Sequence, residues 1–212
     1  MQNIFLYLAL LAGVLDVAML FYVKKTAINS GPFTPFIWLI GFSTFYEYFI
    51  THLLYTDAYY WFQIYPFLSF LAIHYFFNNL LKPKYQKLFK WLFIGFIAVY
   101  ICSLFVWINK STMYLAMAIN RTYITLFIFL SVALWFRKLM DDLKDWNLWH
   151  NPNFYFILSL TLYYASTLFL FLASNFILKS SLQFTSYWQI NAFAGIFFRL
   201  LIGFGIWKMK TD

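Results

Sequence analysis

Long apolar runs separated by short polar stretches extend along the whole chain. A helix needs about 20 apolar residues to cross the hydrocarbon layer of a membrane, which is roughly 30 Å thick. Seven runs meet or approach this length, so the pattern predicts a bundle of seven transmembrane helices, at residues 4–23, 36–54, 60–81, 91–108, 114–136, 153–177 and 187–207. Because they occupy most of the 212 residues, we expect one all-α membrane domain over 1–212 and no separate soluble domain.

Prolines and short connections refine the ends of these helices. Pro35 and Pro152 fall where the second and sixth helices are predicted to begin, and there the missing N–H of proline costs nothing. Pro66 falls inside the third helix and predicts a kink. Residues 56–58 separate the second and third helices so closely that we expect a tight helical hairpin. The longest polar stretch, 137–152, is expected to form either an amphipathic surface helix or an ordered loop.

Composition excludes a soluble protein and several kinds of partner. Only 10% of the residues are charged and the mean hydropathy is +0.71, whereas a soluble domain has about 25% charged residues. The net charge is +8, but the basic residues lie at the ends of apolar runs, so we expect no nucleic-acid partner. Cys102 is the single cysteine, which excludes an intramolecular disulfide and argues against a cysteine zinc site. Since Met1-Gln2-Asn3 lacks a basic residue, we expect 4–23 to be a retained helix, not a cleaved signal.

The lysines and arginines predict the orientation of the bundle, because basic loops stay in the cytoplasm. Eleven of them fall in alternate connections, and the remaining connections with the N-terminus carry two. The basic connections are 24–35, 82–90, 137–152 and 208–212. We therefore expect the N-terminus outside and the C-terminus in the cytoplasm, with the protein in the cytoplasmic (inner) membrane of a bacterium.

Four charged residues fall within the predicted spans: Asp16, Glu47, Arg121 and Arg199. A charge near the middle of a bilayer is costly and usually faces the interior of a helix bundle. Two acids and two bases can balance each other, so we expect Glu47 to pair with Arg121 and Asp16 with Arg199. A pair between Glu47 and Arg199 is the alternative.

Further polar residues repeat along single helix faces, and together with the four charged residues they predict two sites. They predict an outer ligand or ion-pair pocket of Glu47, Asn120, Arg121 and Asn191. They also predict an inner relay or ion pair of Asp16, His74 and Arg199. The competing interpretation is structural, since polar side chains also hold membrane helices together at about 0.6 kcal/mol per contact.

The sequence argues against the familiar membrane chemistries. A retinal protein needs a lysine deep in its last helix, and the last predicted helix has none before Lys208. Three scattered histidines cannot supply a di-iron or hydrolase zinc centre, and no known catalytic motif is present. We therefore assign no catalytic residue, no metal ligand and no cofactor, and an enzymatic function is disfavoured without being excluded.

Four short segments resemble a group of small multi-helix integral membrane proteins of Bacteroidota that has no known activity. The segments are Phe45-Tyr46-Glu47-Tyr48, Asn120-Arg121-Thr122-Tyr123, Asn151-Pro152 and Trp188-Gln189-Ile190-Asn191. The resemblance implies a multi-helix membrane fold and says nothing about ligand or activity.

Several functions fit these patterns. The first is a sensory or signal-coupling module whose outward-facing pocket binds a small or lipidic ligand and whose cytoplasmic loops contact a cytoplasmic or membrane protein partner. The second is a small proton-coupled carrier that uses Asp16, Glu47, His74 and Arg199 as a relay. The third is a structural subunit of a membrane complex, and the last is a lipid-modifying enzyme. Apart from the lipid bilayer, no partner is identified by the residues.

Overall fold

Seven long α-helices form the described part of the chain, and that part contains no strand. The computed structural model describes residues 2–24, 31–49, 59–108, 112–141, 148–179 and 184–209. The helices are α1 (Gln2–Lys24), α2 (Thr34–Tyr46), α3 (Trp61–Leu81), α4 (Gln86–Trp107), α5 (Met113–Asp141), α6 (Pro152–Lys179) and α7 (Phe184–Lys208). A single 3-10 turn, Leu148–His150, precedes α6.

Five of the helices are long and apolar enough to cross a membrane. These stretches are Trp61–Leu81, Gln86–Trp107, Met113–Asp141, Pro152–Ser174 and Gln189–Lys208. In α1 the apolar stretch found among the described residues, Leu10–Val23, is shorter, and α2 has only 13 residues. The architecture is therefore all-helical and compatible with a multi-pass membrane protein.

The observed helix ends differ from the predicted ends for a physical reason. Helix α4 begins at Gln86, not at 91, because glutamine and lysine are good helix formers that a search for apolar runs leaves out. Helix α5 likewise continues through charged residues to Asp141. Helix α2 ends at Tyr46 and passes into a π-helical turn at 47–49, and the rest of the predicted helix, 50–54, lies outside the described residues.

The predictions for Pro35 and Pro152 are confirmed, and the kink at Pro66 stays a prediction. Pro35 lies in the first turn of α2 and Pro152 is the first residue of α6. Helix α3 is continuous through Pro66. The predicted hairpin at 56–58 lies outside the described residues. Of the stretch 137–152, the first five residues belong to α5 and 148–150 form the 3-10 turn, while 142–147 lie outside the described residues.

Six of the helices pack side by side into a closed ring in the order α1, α2, α3, α5, α6, α7 and back to α1. Helix α4 lies outside this ring, with its main contacts to α3 and α5. Neighbours along the chain run antiparallel: the Tyr59 hydroxyl before α3 donates to the carbonyl of Trp107 at the end of α4. At the other end, the His74 ring is hydrogen-bonded to the carbonyl of Phe89 near the start of α4. We call these two ends of the bundle the α2–α3 end and the α3–α4 end.

Aromatic side chains pack closely in the half of the helix bundle toward the α3–α4 end. The Phe70 ring stacks on Phe96 at a centroid distance of 3.8 Å, and the Phe33 ring stacks on Phe156 at 4.3 Å. All four rings are fully buried. Aromatic rings bury about 150–250 Å² each, so this cluster is a large part of the apolar packing. The half of the helix ring toward the α2–α3 end is not filled in this way and contains a cavity.

We expect Gly205→Ala to lower the free energy of unfolding by about 1–3 kcal/mol, the usual cost of overpacking a core. A Cβ atom added at Gly205 would clash with Cε1 of Phe156, whose ring is stacked on the buried Phe33. Gly195→Ala is the matched control, since a Cβ there would have no neighbour within 4 Å. Thermal unfolding in detergent should show a loss for the first variant and none for the second. Equal stability of both would contradict the tight α6–α7 contact.

Candidate functional site

A cavity of about 260 Å³ lies inside the helix ring, toward the α2–α3 end. All six ring helices contribute to its wall, and α4 contributes no residue among those described. Its charged and amide side chains are Glu47 from α2's π-helical turn, Arg121 from α5, and Asn191 and Arg199 from α7. Three of the four charged residues that the sequence singles out therefore line one space.

Aromatic side chains form the remaining wall of the cavity. Those from α2 and α3 include Tyr46, Trp61 and Tyr65, and those from α6 are Tyr163 and Tyr164, with Phe171 about two turns further on. The Trp61 ring stacks on Tyr46 at 4.6 Å, and its indole N–H donates to the Ser43 hydroxyl at 3.2 Å. Because Trp61 is tied to α2 by both contacts, this side of the wall is held in place.

Arg121 is the most enclosed charge in the site, with 6% of its surface exposed. Its guanidinium carbon lies 4.0 Å from the ring centre of Phe171, 4.7 Å from Tyr163 and 4.8 Å from Tyr164. Its Nη2 atom donates to the Thr167 hydroxyl at 3.1 Å. Its Nε atom is buried and has no hydrogen-bond partner in the described part of the chain. The cation is thus surrounded by aromatic faces, and they cannot accept hydrogen bonds in the plane of the guanidinium.

Two hydrogen bonds fix the tyrosine beside Arg121. The Tyr163 hydroxyl donates to Oδ1 of Asn191 at 3.2 Å, and the Thr167 hydroxyl donates to the Tyr163 carbonyl at 2.6 Å. The Tyr163 ring also stacks on Phe198 of α7 at 4.6 Å. Helices α5, α6 and α7 therefore meet around one guanidinium.

Asp16 and Arg199 lie together where α1 crosses α7. A Cβ atom added at Gly13 would lie 3.4 Å from Cζ of Arg199, and one added at Gly203 would lie 3.3 Å from Oδ1 of Asp16. The missing side chains let the two helices come close enough for Asp16 and Arg199 to interact electrostatically. Asp16 is 3% exposed, and its Oδ2 atom has no hydrogen-bond partner among the residues described.

The expected pairing of the four charges is changed by this arrangement. A salt bridge at 2.8 Å joins Lys84 and Asp141, away from these four residues. Arg121 forms its contacts with α6 and does not pair with Glu47. The reason is the order of the helices, since α6 lies beside α5 in the ring, whereas α3 separates α5 from α2. Asp16 and Arg199 are neighbours, as the sequence predicts, although they do not reach salt-bridge distance.

Asn120 lies outside the cavity wall and faces α4. Its amide donates to the Ser103 hydroxyl at 2.9 Å, and the Gln63 amide donates to the same oxygen at 3.0 Å. The Ser103 hydroxyl in turn donates to the Tyr100 carbonyl at 2.7 Å. All three of Asn120, Ser103 and Gln63 are buried, so this cluster attaches α4 to the ring. In the structure Asn120 holds helices together and does not contact the pocket residues.

His74 also lies apart from Asp16 and Arg199. Its ring is hydrogen-bonded to the carbonyl of Phe89 at 3.1 Å and packs among the phenylalanines of α3, α4 and α5. It lines a second, wider cleft of about 760 Å³ at the α3–α4 end, which also contains Lys84, Lys87 and Lys90. The structure therefore does not bring the three residues of the predicted inner relay together.

Sequence reasoning placed Tyr163 on a polar face of the sixth helix but missed the other residues of α6 that surround Arg121. Tyr164, Thr167 and Phe171 line the same side of α6 at intervals of three and four residues, which is the spacing of one helix face. That spacing was the available signal, but aromatic residues are frequent throughout the chain and do not mark a site by themselves. No group of three or more histidine, cysteine, aspartate or glutamate side chains capable of holding a metal ion occurs in the described ranges.

Comparison with known proteins adds no functional assignment. No protein-family model, no curated protein and no solved structure matches this chain. The function is therefore argued from the cavity and its residues alone.

Proposed function

We propose that the protein is a sensory or signal-coupling module of a bacterial cytoplasmic membrane. In this proposal all seven helices span the bilayer, with the N-terminus outside and the C-terminus in the cytoplasm. The charge asymmetry of the connections supports this orientation, and five helices with the required length and apolar character support the membrane location. The cavity then lies in the outer half of the bundle.

The observation that carries the proposal is a cavity inside the helix ring, lined by charged side chains, in a chain whose described residues form one helix bundle. Buried charges are expensive in a membrane protein and are usually functional. A space walled by aromatic groups with a few polar side chains is the usual form of a small-molecule site. A ligand held there contacts six helices at once, so its binding changes the spacing of the ring.

Contacts at the α3–α4 end offer a route by which that change reaches the cytoplasm. The Lys138 ammonium of α5 donates to the carbonyl of Leu80 of α3 at 3.0 Å, and Lys84 donates to Asp141 at 2.8 Å. The hydrogen bond with Asp141 raises the pKa of Lys84, so its ammonium stays charged at neutral pH. Helices α3 and α5 line the cavity at one end and carry these contacts at the other. A partner protein in the cytoplasm would bind at this end and respond to the displacement of α3 and α5.

A single reporter cysteine tests both the orientation and the coupling. In the variant Lys87→Cys, built on Cys102→Ser, we expect a membrane-impermeant maleimide to label inverted vesicles and not right-side-out vesicles. Adding Gly195→Leu places a side chain in the cavity without a clash at Cβ and imitates an occupied site. Coupling free energies between sites are about 1–3 kcal/mol, so the labelling rate should change by about fivefold or more.

Ala133→Leu is the matched control, because Ala133 is an exposed residue of α5 and the added leucine lies outside the ring. It should leave the labelling rate unchanged. Labelling from the outer side would overturn the orientation. A labelling rate that is the same with and without Gly195→Leu would overturn the coupling, and with it the signalling function.

A further inference from the structure

The hydrogen bonding of Arg121 is incomplete. The guanidinium has five N–H donors in one plane, of which Nη2 donates to Thr167, and the Tyr163 hydroxyl also lies close to it. The Nε atom is buried without a partner among the described residues. The rings of Tyr163, Tyr164 and Phe171 present π electrons to the cation and leave Nε without an acceptor.

An oxyanion with two oxygens side by side is the chemical group that completes such a guanidinium. Carboxylate and phosphate oxygens accept two parallel N–H bonds from arginine, and these charge-assisted bonds are among the strongest in proteins. Neither Asp16 nor Glu47 takes this role, because Arg121 forms no salt bridge in the described part of the chain. Arg121 lines the cavity, so the missing oxyanion can be supplied from there.

We propose that the cavity binds a small amphiphile with one oxyanion head, a carboxylate or a phosphate monoester, and that Arg121 holds this head. This inference rests on the proposed function of the cavity as a ligand site. The apolar part of the ligand lies against the wall formed by Tyr46, Trp61 and Tyr65.

Further features of the cavity fit a ligand of this kind. Asn191 accepts a hydrogen bond from Tyr163 through Oδ1, which leaves its amide N–H groups to donate to a second oxygen of the head. A volume of about 260 Å³ equals roughly nine water molecules in the liquid, which suits a short amphiphile.

The same head group could come from a soluble compound or from a membrane lipid, and one set of probes separates the two. The full-length protein in a nonionic detergent is titrated with hexanoate, hexyl phosphate and uncharged hexanamide while its thermal unfolding is followed. We expect a rise in unfolding temperature with hexanoate or hexyl phosphate and none with hexanamide. In a second arm, nanodiscs of phosphatidylcholine with and without phosphatidic acid, a lipid whose head is a phosphate monoester, are compared. Stabilisation by phosphatidic acid alone, with no response to the soluble probes, identifies a lipid head group as the source.

Variants of the cavity distinguish recognition from general stabilisation. Arg121→Lys should weaken binding of the responding probe by about tenfold or more, because an ammonium cannot form the parallel pair of bonds. Gly195→Leu should abolish binding by filling the space, whereas the exposed substitution Ala133→Leu should not affect it. Equal binding of hexanamide and hexanoate, or unchanged binding by Arg121→Lys, would overturn the inference. No response to any oxyanion, soluble or lipid, would also overturn it.

The outcomes of this titration and of the cysteine labelling are independent. If the oxyanion binds but a filled cavity leaves the labelling of position 87 unchanged, the ligand class stands and the signalling function fails. If the labelling responds but no oxyanion binds, the signalling function stands and the ligand class fails.

Discussion

Arg121→Met should increase the free energy of unfolding of the ligand-free protein by about 1–3 kcal/mol. Removing a charge from water costs several kcal/mol, and a buried ion replaced by an apolar side chain of similar volume often gives a more stable protein. Cation–π contacts offset part of this cost, at about 2 kcal/mol each when they are desolvated. A guanidinium has only two faces, so the three rings around Arg121 cannot all contribute fully. The unpartnered Nε then leaves a net penalty that methionine removes.

Chemical and thermal unfolding in nonionic detergent measure this change, with Arg137→Met as the control. Arg137 is exposed at the end of α5, so its replacement should leave the stability unchanged. A loss of stability in Arg121→Met would mean that the aromatic contacts and the bond to Thr167 more than offset the burial of the charge. Arg121 would then be a structural residue, and the case for a ligand site would be lost.

A residue that lowers stability is retained where function requires it, and this links the stability of Arg121 to the proposed ligand. An oxyanion that binds the folded protein supplies the missing hydrogen bonds and stabilises it by mass action. The stability difference between the native protein and Arg121→Met should therefore shrink as a binding probe is added. The buried guanidinium therefore lowers the stability of the protein more when the cavity is empty than when a ligand occupies it.

The seven helices could be predicted from the sequence because a long apolar run has few other stable structures in a membrane. The place of each helix in the bundle could not. Helix α4 has the highest mean hydropathy of the five membrane-length helices, 2.1, and the lowest buried share, 17%. A helix whose neighbours are lipids on most sides and one whose neighbours are other helices are both apolar, so hydropathy alone does not separate them.

Residues of the site were found more easily than their partners. The energetic cost of a charge in a membrane span is enough to single out four residues, because such charges are usually functional. They are Asp16, Glu47, Arg121 and Arg199. Their partners depend on helix rotation, which the sequence does not specify. Asn120 and Arg121 are adjacent and were grouped together, yet successive residues of a helix point about 100° apart. One therefore faces α4 and the other faces α6 and the cavity.

Asp16 and Arg199 should show the largest losses of stability, and the two losses should be unequal. Asp16→Asn leaves the Arg199 guanidinium in place without its neighbouring carboxylate, and a guanidinium cannot give up its proton. Breaking a buried pair costs about 3–5 kcal/mol, and because these charges do not reach salt-bridge distance we expect about 2–3 kcal/mol. Arg199→Gln should cost less, because the remaining carboxyl of Asp16 can be neutralised by taking up a proton.

A double-mutant cycle measures this coupling directly. The variant with both Asp16→Asn and Arg199→Gln should recover much of the loss of Asp16→Asn, because no uncompensated charge is left at the α1–α7 crossing. Asp141→Asn is the control, since that carboxylate forms an exposed pair with Lys84 and its removal should have a much smaller effect. Additive losses in the cycle would show that Asp16 and Arg199 act separately, and α1 would then meet α7 through the close contacts at Gly13 and Gly203 alone. A strong coupling would instead show that Asp16 and Arg199 hold α1 and α7 together. We would then expect a ligand at Arg121 to displace the other helices of the ring relative to this pair.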